Sequence, residues 1–164
     1  MQKLLDSTGA FIENDPWRLV TESQEIASDD KYLLLPLDLW LEWEANRTCD
    51  PTWGICLDSA DEVESLGNRL SELPCIAINF PTFMDGRGFS NARIIREQYG
   101  YEGPLRALGQ IMPEQLLFLA RCGFDSFVID GQRNIPDPRI YFDEFSVTYQ
   151  SSSGQPEPLF RRRA

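Results

Sequence analysis

The chain has 164 residues, 42% of them hydrophobic and 12% aromatic, enough for one domain with a proper core. It contains no histidine, which excludes Ser-His-Asp and Cys-His catalysis, histidine metal sites and the usual proton shuttle. A net charge of −11 predicts repulsion from nucleic acid and from anionic membranes.

Residues 1–20 read as an N-terminal hairpin. Lys3-Leu-Leu5 and Ala10-Phe-Ile12 flank the turn-forming cluster Asp6-Ser-Thr-Gly9. Asn14-Asp-Pro-Trp17 then turns the chain, and 21–31 is a polar connector. Tyr32-Leu-Leu-Leu35 suits a buried strand, and Pro36 fits the first turn of a helix to about Asn46, with Leu37, Trp40, Leu41 and Glu44 on one side. Trp53-Gly-Ile-Cys-Leu57 is the next strand. Ser59-x-x-Glu62 has the capping-box pattern, and Val63, Leu66, Leu70 and Leu73 follow at helical spacing. Cys75-Ile-Ala-Ile-Asn-Phe80 is a strand of the kind buried on both faces.

A polar loop follows, and the chain is organised around it. Gly86 and Gly88 bracket Arg87, so the backbone there is free to take φ > 0 or to approach a ligand closely. Ser90 is placed as the N-cap of the next helix, where free N–H groups favour an anion, and Arg87 and Arg93 add positive charge. Gly86, Arg87, Gly88, Ser90 and Arg93 are therefore the candidate anion-binding residues. A tight, well-capped turn with surface arginines is the plainer reading of the same residues. Asp85 is a candidate general base or an orienting partner of Arg87.

Ala92, Ile95 and Tyr99 mark the inner face of the next helix, and Leu105-Arg-Ala-Leu-Gly109 is a short strand. Pro113 opens a helix with Leu116, Leu117, Leu119 and Ala120 toward the core, closed by Gly123 at C′. Phe124–Ile129 is the last strand. Residues 137–150 fit either helix or strand, and 151–164 reads as a flexible tail behind a domain at 1–150.

Alternating strands and helices predict an α/β domain with a mostly parallel sheet of about five βα units. Its form is left open between a doubly wound sheet and a half-barrel-like one. In either, ligands belong at the carboxyl ends of the strands: Asp58, 79–87, Gly109-Gln110 and Asp130. Residues 1–85 carry 5 basic and 17 acidic side chains, against 10 and 9 in 86–164, so arginine is concentrated from the Gly86 loop onward. Arginine suits planar recognition of oxyanions and carboxylates.

The cysteines at 49, 56, 75 and 122 form no Cys-x-x-Cys pair, which argues against a dithiol centre, a zinc knuckle or an iron–sulfur cradle. No Gly-x-Gly-x-x-Gly follows a strand, so no nicotinamide or flavin site is indicated. The expectation is a chain without a cofactor of its own. Cys122, beside Arg121 at a helix C-terminus, is the thiol to watch as a catalytic candidate, with an inert buried cysteine as its alternative. The N-terminus lacks the apolar core of a signal peptide, and no stretch is long and apolar enough to span a bilayer. A cytoplasmic protein is expected.

Three blocks together resemble a known bacterial family. They are Phe80-Pro-Thr-Phe-Met-Asp-Gly-Arg-Gly-Phe-Ser-Asn-Ala-Arg93, Gly100-Tyr-Glu-Gly-Pro-Leu-Arg-Ala-Leu-Gly109 and Glu114-Gln-Leu-Leu-Phe-Leu-Ala-Arg-Cys-Gly-Phe-Asp-Ser-Phe127. The segment 145–150 is similar to that family's closing signature. The family is a bacterial domain of unknown function described as a probable oxidoreductase involved in sulfite reduction, encoded beside assimilatory sulfite reductase. The resemblance implies an accessory or oxidoreductase-associated role there, with sulfite reductase as partner; the parallel sheet separately leaves a homo-oligomer open. A small enzyme binding an oxyanion or phosphate-bearing ligand, or a structural partner, is the alternative. Gln110 stands where the resemblance leads one to expect an acidic residue.

Overall fold

The computed structural model describes residues 2–27, 29–46, 49–130, 135 and 137–142. Residues 143–164, and with them most of the undecided segment 137–150 and the tail, lie outside that set; the described start of that segment makes a 3₁₀ turn, Pro138–Tyr141. The chain builds one mixed sheet from β1 (Gln2–Asp6), β2 (Phe11–Ile12), β3 (Arg18–Leu19), β4 (Leu33–Pro36), β5 (Gly54–Asp58), β6 (Ile76–Phe80), β7 (Leu105–Gly109) and β8 (Ser126–Asp130). Among the described residues three α-helices accompany it, α1 (Leu37–Asn46), α2 (Arg87–Arg93) and α3 (Leu116–Arg121), besides short 3₁₀ segments and a π-helical turn at Ile94–Gln98.

The strand order is β2-β1-β8-β7-β6-β5-β4-β3. From β3 to β8 neighbours in sequence are parallel neighbours in space, while β1 is antiparallel to both β8 and β2. The predicted hairpin is therefore present. Its turn is held by the Asp6 carboxylate, which accepts from the backbone N–H groups of Thr8 and Ala10.

This order never reverses, so the doubly wound alternative is excluded and no switch-point crevice exists. Right-handed crossovers that always advance in one direction leave the parallel crossover connections on one face. The sheet must also curl. Laid flat at about 4.8 Å per strand, β2 and β3 would stand about 34 Å apart. The residues from Ile12 to Arg18 span at most about 22 Å even when extended. The strap Glu13–Trp17 can join the two edges only if the sheet bends into a half-barrel.

Period-two alternation sorts the strands onto the two faces. Leu33, Leu35, Ile55, Leu57, Ile76, Ile78, Leu105, Ala107, Phe127 and Ile129 point outward under the helical layer and form the main core. Each such fully buried aliphatic side chain contributes about 1.5–3 kcal/mol. Leu34, Cys56, Ala77 and Leu108 point to the concave face in a smaller cluster, with Trp17 and Val128 against it.

The expected count of five βα units is corrected, because two of the five parallel crossovers lack an α-helix. After β5 the chain makes two 3₁₀ segments, Val63–Ser65 and Gly67–Glu72, instead of one α-helix. Gly67 has φ +53 and breaks the run, and the Ser59 hydroxyl is engaged elsewhere, so the capping box does not form. Val63, Leu66, Leu70 and Leu73 are nevertheless all buried. The 3.6 spacing identified the apolar face but not the helix type. In α1 the buried residues are Leu39 and Trp40, whereas Leu41 is exposed. At the end of α3 the expected glycine cap is seen in full. Gly123 has φ +105, its N–H donates to the Ala120 carbonyl, and the Phe124 N–H donates to that of Leu119.

Arg96 clamps the end of the barrel at which β7 and β8 begin. It donates to the carbonyls of Tyr101, Gly103 and Gly123 and pairs with Asp125, whose carboxylate accepts from the Leu105 N–H. Among the described residues no helix is long and apolar enough to cross a membrane.

Candidate functional site

At the carboxyl ends of β5 and β6 the structure joins Asp85 and Arg87 and adds a residue not singled out as a site residue, Ser59. Asp85 Oδ2 accepts from Arg87 Nη2 and from Ser59 Oγ, both at 2.7 Å. Its Oδ1 accepts from Arg87 Nε at 3.0 Å and from the Arg87 backbone N–H at 3.1 Å. The side-chain hydrogen bonds from Arg87 and Ser59 hold the Asp85 carboxyl well below the usual carboxylate range. An acid that remains so firmly ionised is a weak proton acceptor at neutral pH. Because its folded value is depressed, its stabilisation is complete above the ordinary carboxylate value of about 3.9 and is lost as pH falls further.

Arg87 remains 62% exposed along its side chain while its Nε–Nη2 edge is committed to Asp85. The guanidinium is thus pinned and outward-facing, with its Nε–Nη2 edge already occupied by a carboxylate.

The other candidates are placed differently. α2 begins at Arg87, so Ser90 lies inside the helix and is not its N-cap; Gly86 holds that position with φ −81. Neither Gly86 nor Gly88 has positive φ. Gly88 is needed for close packing, because a Cβ there would stand 2.7 Å from the Phe80 ring. That ring is wedged between Phe89 and Phe124. Gly86 has open space around it. Gly88→Ala should cost about 1–3 kcal/mol by overpacking, while Gly86→Ala should be neutral to slightly stabilising. Paired urea denaturation curves check the contrast. Arg93 sits in the last turn of α2 and pairs with Glu97 at 3.2 Å, so it does not join the Arg87 end.

Cys122 is buried in the main core at the end of α3. Burial raises its pKa, and burial pushes Cys56 and Cys75 up to about 12. Cys49, only partly buried, is raised in the same direction by burial and by Glu44. None is poised as a thiolate. A thiol-reactive dye at pH 8 should label Cys49 first and the other three slowly, with all four reacting promptly in denaturant. Fast labelling of Cys122 in the native protein would contradict this placement. Among the described residues, no three Cys, Asp or Glu side chains are grouped so as to hold a metal ion.

An apolar surface adjoins Arg87. Phe83 is 51% and Met84 80% exposed, and Phe118 on α3 is 51% exposed. Gln115 Nε2 donates to the Phe83 carbonyl at 3.0 Å, which ties the loop to the start of α3. Phe118, one turn further on, packs with a tilted ring against Phe89 of α2, the centroids 4.9 Å apart. The exposed loop side chains and the pinned arginine that follows them in the chain form a rim at this end of the sheet.

A second site lies inside the half-barrel, and sequence reasoning left it aside. A cavity of about 330 Å³ opens on the concave face, lined from both sheet edges and from β6, β7 and β8. In it Arg106 of β7, with its side chain 8% exposed, meets Asp15 of the strap in a two-pronged pair at 2.6 and 2.9 Å. The available signal was alternation: Leu105 and Ala107 face the helices, so 106 and 108 must face the lumen.

Neither a curated protein nor a solved structure matches the chain. A family model does match, over residues 54–160, from the start of β5 onward and including the whole Phe83–Arg93 rim. On that match the chain belongs to DUF934, a family of bacterial proteins of unknown function.

Proposed function

We propose that this protein is a cytoplasmic accessory of assimilatory sulfite reduction that acts by docking to the reductase and carries no reaction of its own. The pathway rests on the resemblance of the three sequence blocks. The mode of action rests on one observation: Phe83 and Met84 stand exposed beside an arginine locked in place by Asp85 and Ser59. Aromatic residues, methionine and arginine are the side chains enriched where proteins bind one another. An arginine held in advance loses little side-chain freedom on binding. The candidates for chemistry point the other way, since Asp85 is a poor base and Cys122 is a buried, protonated thiol. The alternative, an oxyanion-binding enzyme of the same pathway, has less support because Asp85 already takes the Nε–Nη2 edge of Arg87 and neutralises its charge.

Deleting the gene tests the pathway. Growth on sulfate or sulfite as sole sulfur source should fail and be restored by sulfide or cysteine. Normal growth on sulfite, in a strain with no second copy, would refute it.

A further inference from the structure

We propose that the concave cavity is a binding site for a small organic monocarboxylate, and that Asp15 occupies the ligand's place until the ligand displaces it. This site is separate from the Phe83–Arg87 rim and does not depend on the docking reading.

Arg106 is the only charged side chain among the buried polar residues described. A buried guanidinium needs an anion against it. The anion it has comes from an unusual source. Asp15 belongs to the strap joining the two edges of the sheet, whose residues Glu13–Pro16 are exposed. Among the described residues these four make no backbone hydrogen bond. Apart from a bond to the Trp17 N–H, the Asp15 carboxylate is spent on Arg106. Segments with few backbone bonds and little burial open at low free energy. The Arg106 fork is therefore closed by an exposed strap that no backbone hydrogen bond holds between Glu13 and Pro16.

The ligand class follows from charge and shape. The ionisable side chains lining the cavity are Lys3, Glu13, Asp15 and Arg106, two of each sign. Withdrawing Asp15 leaves one positive charge in excess, which a ligand with a single negative charge restores to neutrality. The Nη1 and Nη2 donors that Asp15 engages match a planar carboxylate in two-pronged geometry. Beside these charges and the polar Asn79, Trp17, Leu34, Leu108 and Val128 give the cavity an apolar wall that accepts a flat hydrocarbon body. The volume suits a ligand of about a dozen heavy atoms or fewer, at the small end of such sites.

The test is an NMR titration of the ¹⁵N-labelled full chain with sodium benzoate at constant ionic strength, following the Trp17 indole N–H, assigned with Trp17→Phe. A saturable shift is expected with benzoate and none with benzyl alcohol, its neutral analogue, or with sodium sulfate. Asp15→Asn removes the internal competitor and should tighten benzoate binding at least about tenfold. Arg106→Lys keeps the charge without the fork and should weaken it about tenfold. The proposal fails if benzoate produces no saturable shift in the wild-type protein. It fails equally if benzyl alcohol or sulfate titrates as benzoate does, or if Arg106→Lys binds as tightly as wild type.

Discussion

Asp15→Ala should lower the unfolding free energy by about 3 kcal/mol, a large loss for a residue whose neighbours Glu13, Asn14 and Pro16 are all exposed. The change strands the Arg106 guanidinium in the lumen without an anion, and breaking a buried pair from one side costs about 3–5 kcal/mol. The lower end applies because the Asp15 side chain is 26% exposed, which lets water reach the vacated place. The double variant Asp15→Ala/Arg106→Met should recover most of the loss, since methionine fills a similar volume with no charge to desolvate. Urea denaturation of the single and double variants measures both values. A single variant as stable as wild type would mean that the strap does not neutralise Arg106. A double variant no better than the single would assign the loss to the strap backbone.

Gly109→Ala should be as damaging, by about 3–4 kcal/mol. Gly109 ends β7 with φ +93, a region that costs an L-residue about 1–2 kcal/mol. A Cβ there would also run into the Phe80 carbonyl oxygen, and Asn79 Oδ1 would stand 2.6 Å away. The clash with Phe80 is against backbone that is itself committed, because the Phe80 oxygen accepts from the Gln110 N–H at 2.8 Å. Overpacking of this sort adds about 1–3 kcal/mol. Thermal unfolding compared with Gly86→Ala separates a conformational requirement from a general dislike of replaced glycines. Equal melting temperatures for the two would overturn the assignment.

The sequence makes the strands and their inward faces legible because a buried parallel strand is nearly continuous in apolar residues, and β7 falls on the residues expected for it. Glycine chemistry made the end of α3 legible, where Gly123 meets a demand for positive φ that almost no other residue satisfies cheaply. Helix type was less visible. Val63, Leu66 and Leu70 bury the same face in a 3₁₀ run as they would in an α-helix, and only Gly67 marked the break.

The candidate site was half legible. Asp85 and Arg87 are two residues apart and their pairing is local, whereas Ser59 reaches them across 26 residues through the juxtaposition of β5 and β6. Gly86 and Gly88 look alike in sequence, yet only Gly88 meets a neighbour, which depends on where the Phe80 ring sits. The lumen was the least legible part. Asp15 and Arg106 are 91 residues apart, and their meeting depends on the curl that a five-residue strap imposes on an eight-stranded sheet.

Docking is the central claim, and a pull-down tests it most directly. The tagged full chain should retain assimilatory sulfite reductase from an extract of its own host, confirmed with the purified reductase. The variant Phe83→Asp/Met84→Asp removes the exposed apolar side chains without touching the core. It should therefore keep its melting behaviour to within about 0.5 kcal/mol, as expected for surface positions. Retention should fall by at least about tenfold, the loss expected when two exposed anchors of an interface are replaced by charge. Equal retention of the reductase by wild type and variant, or no retention by either, would contradict docking through this rim.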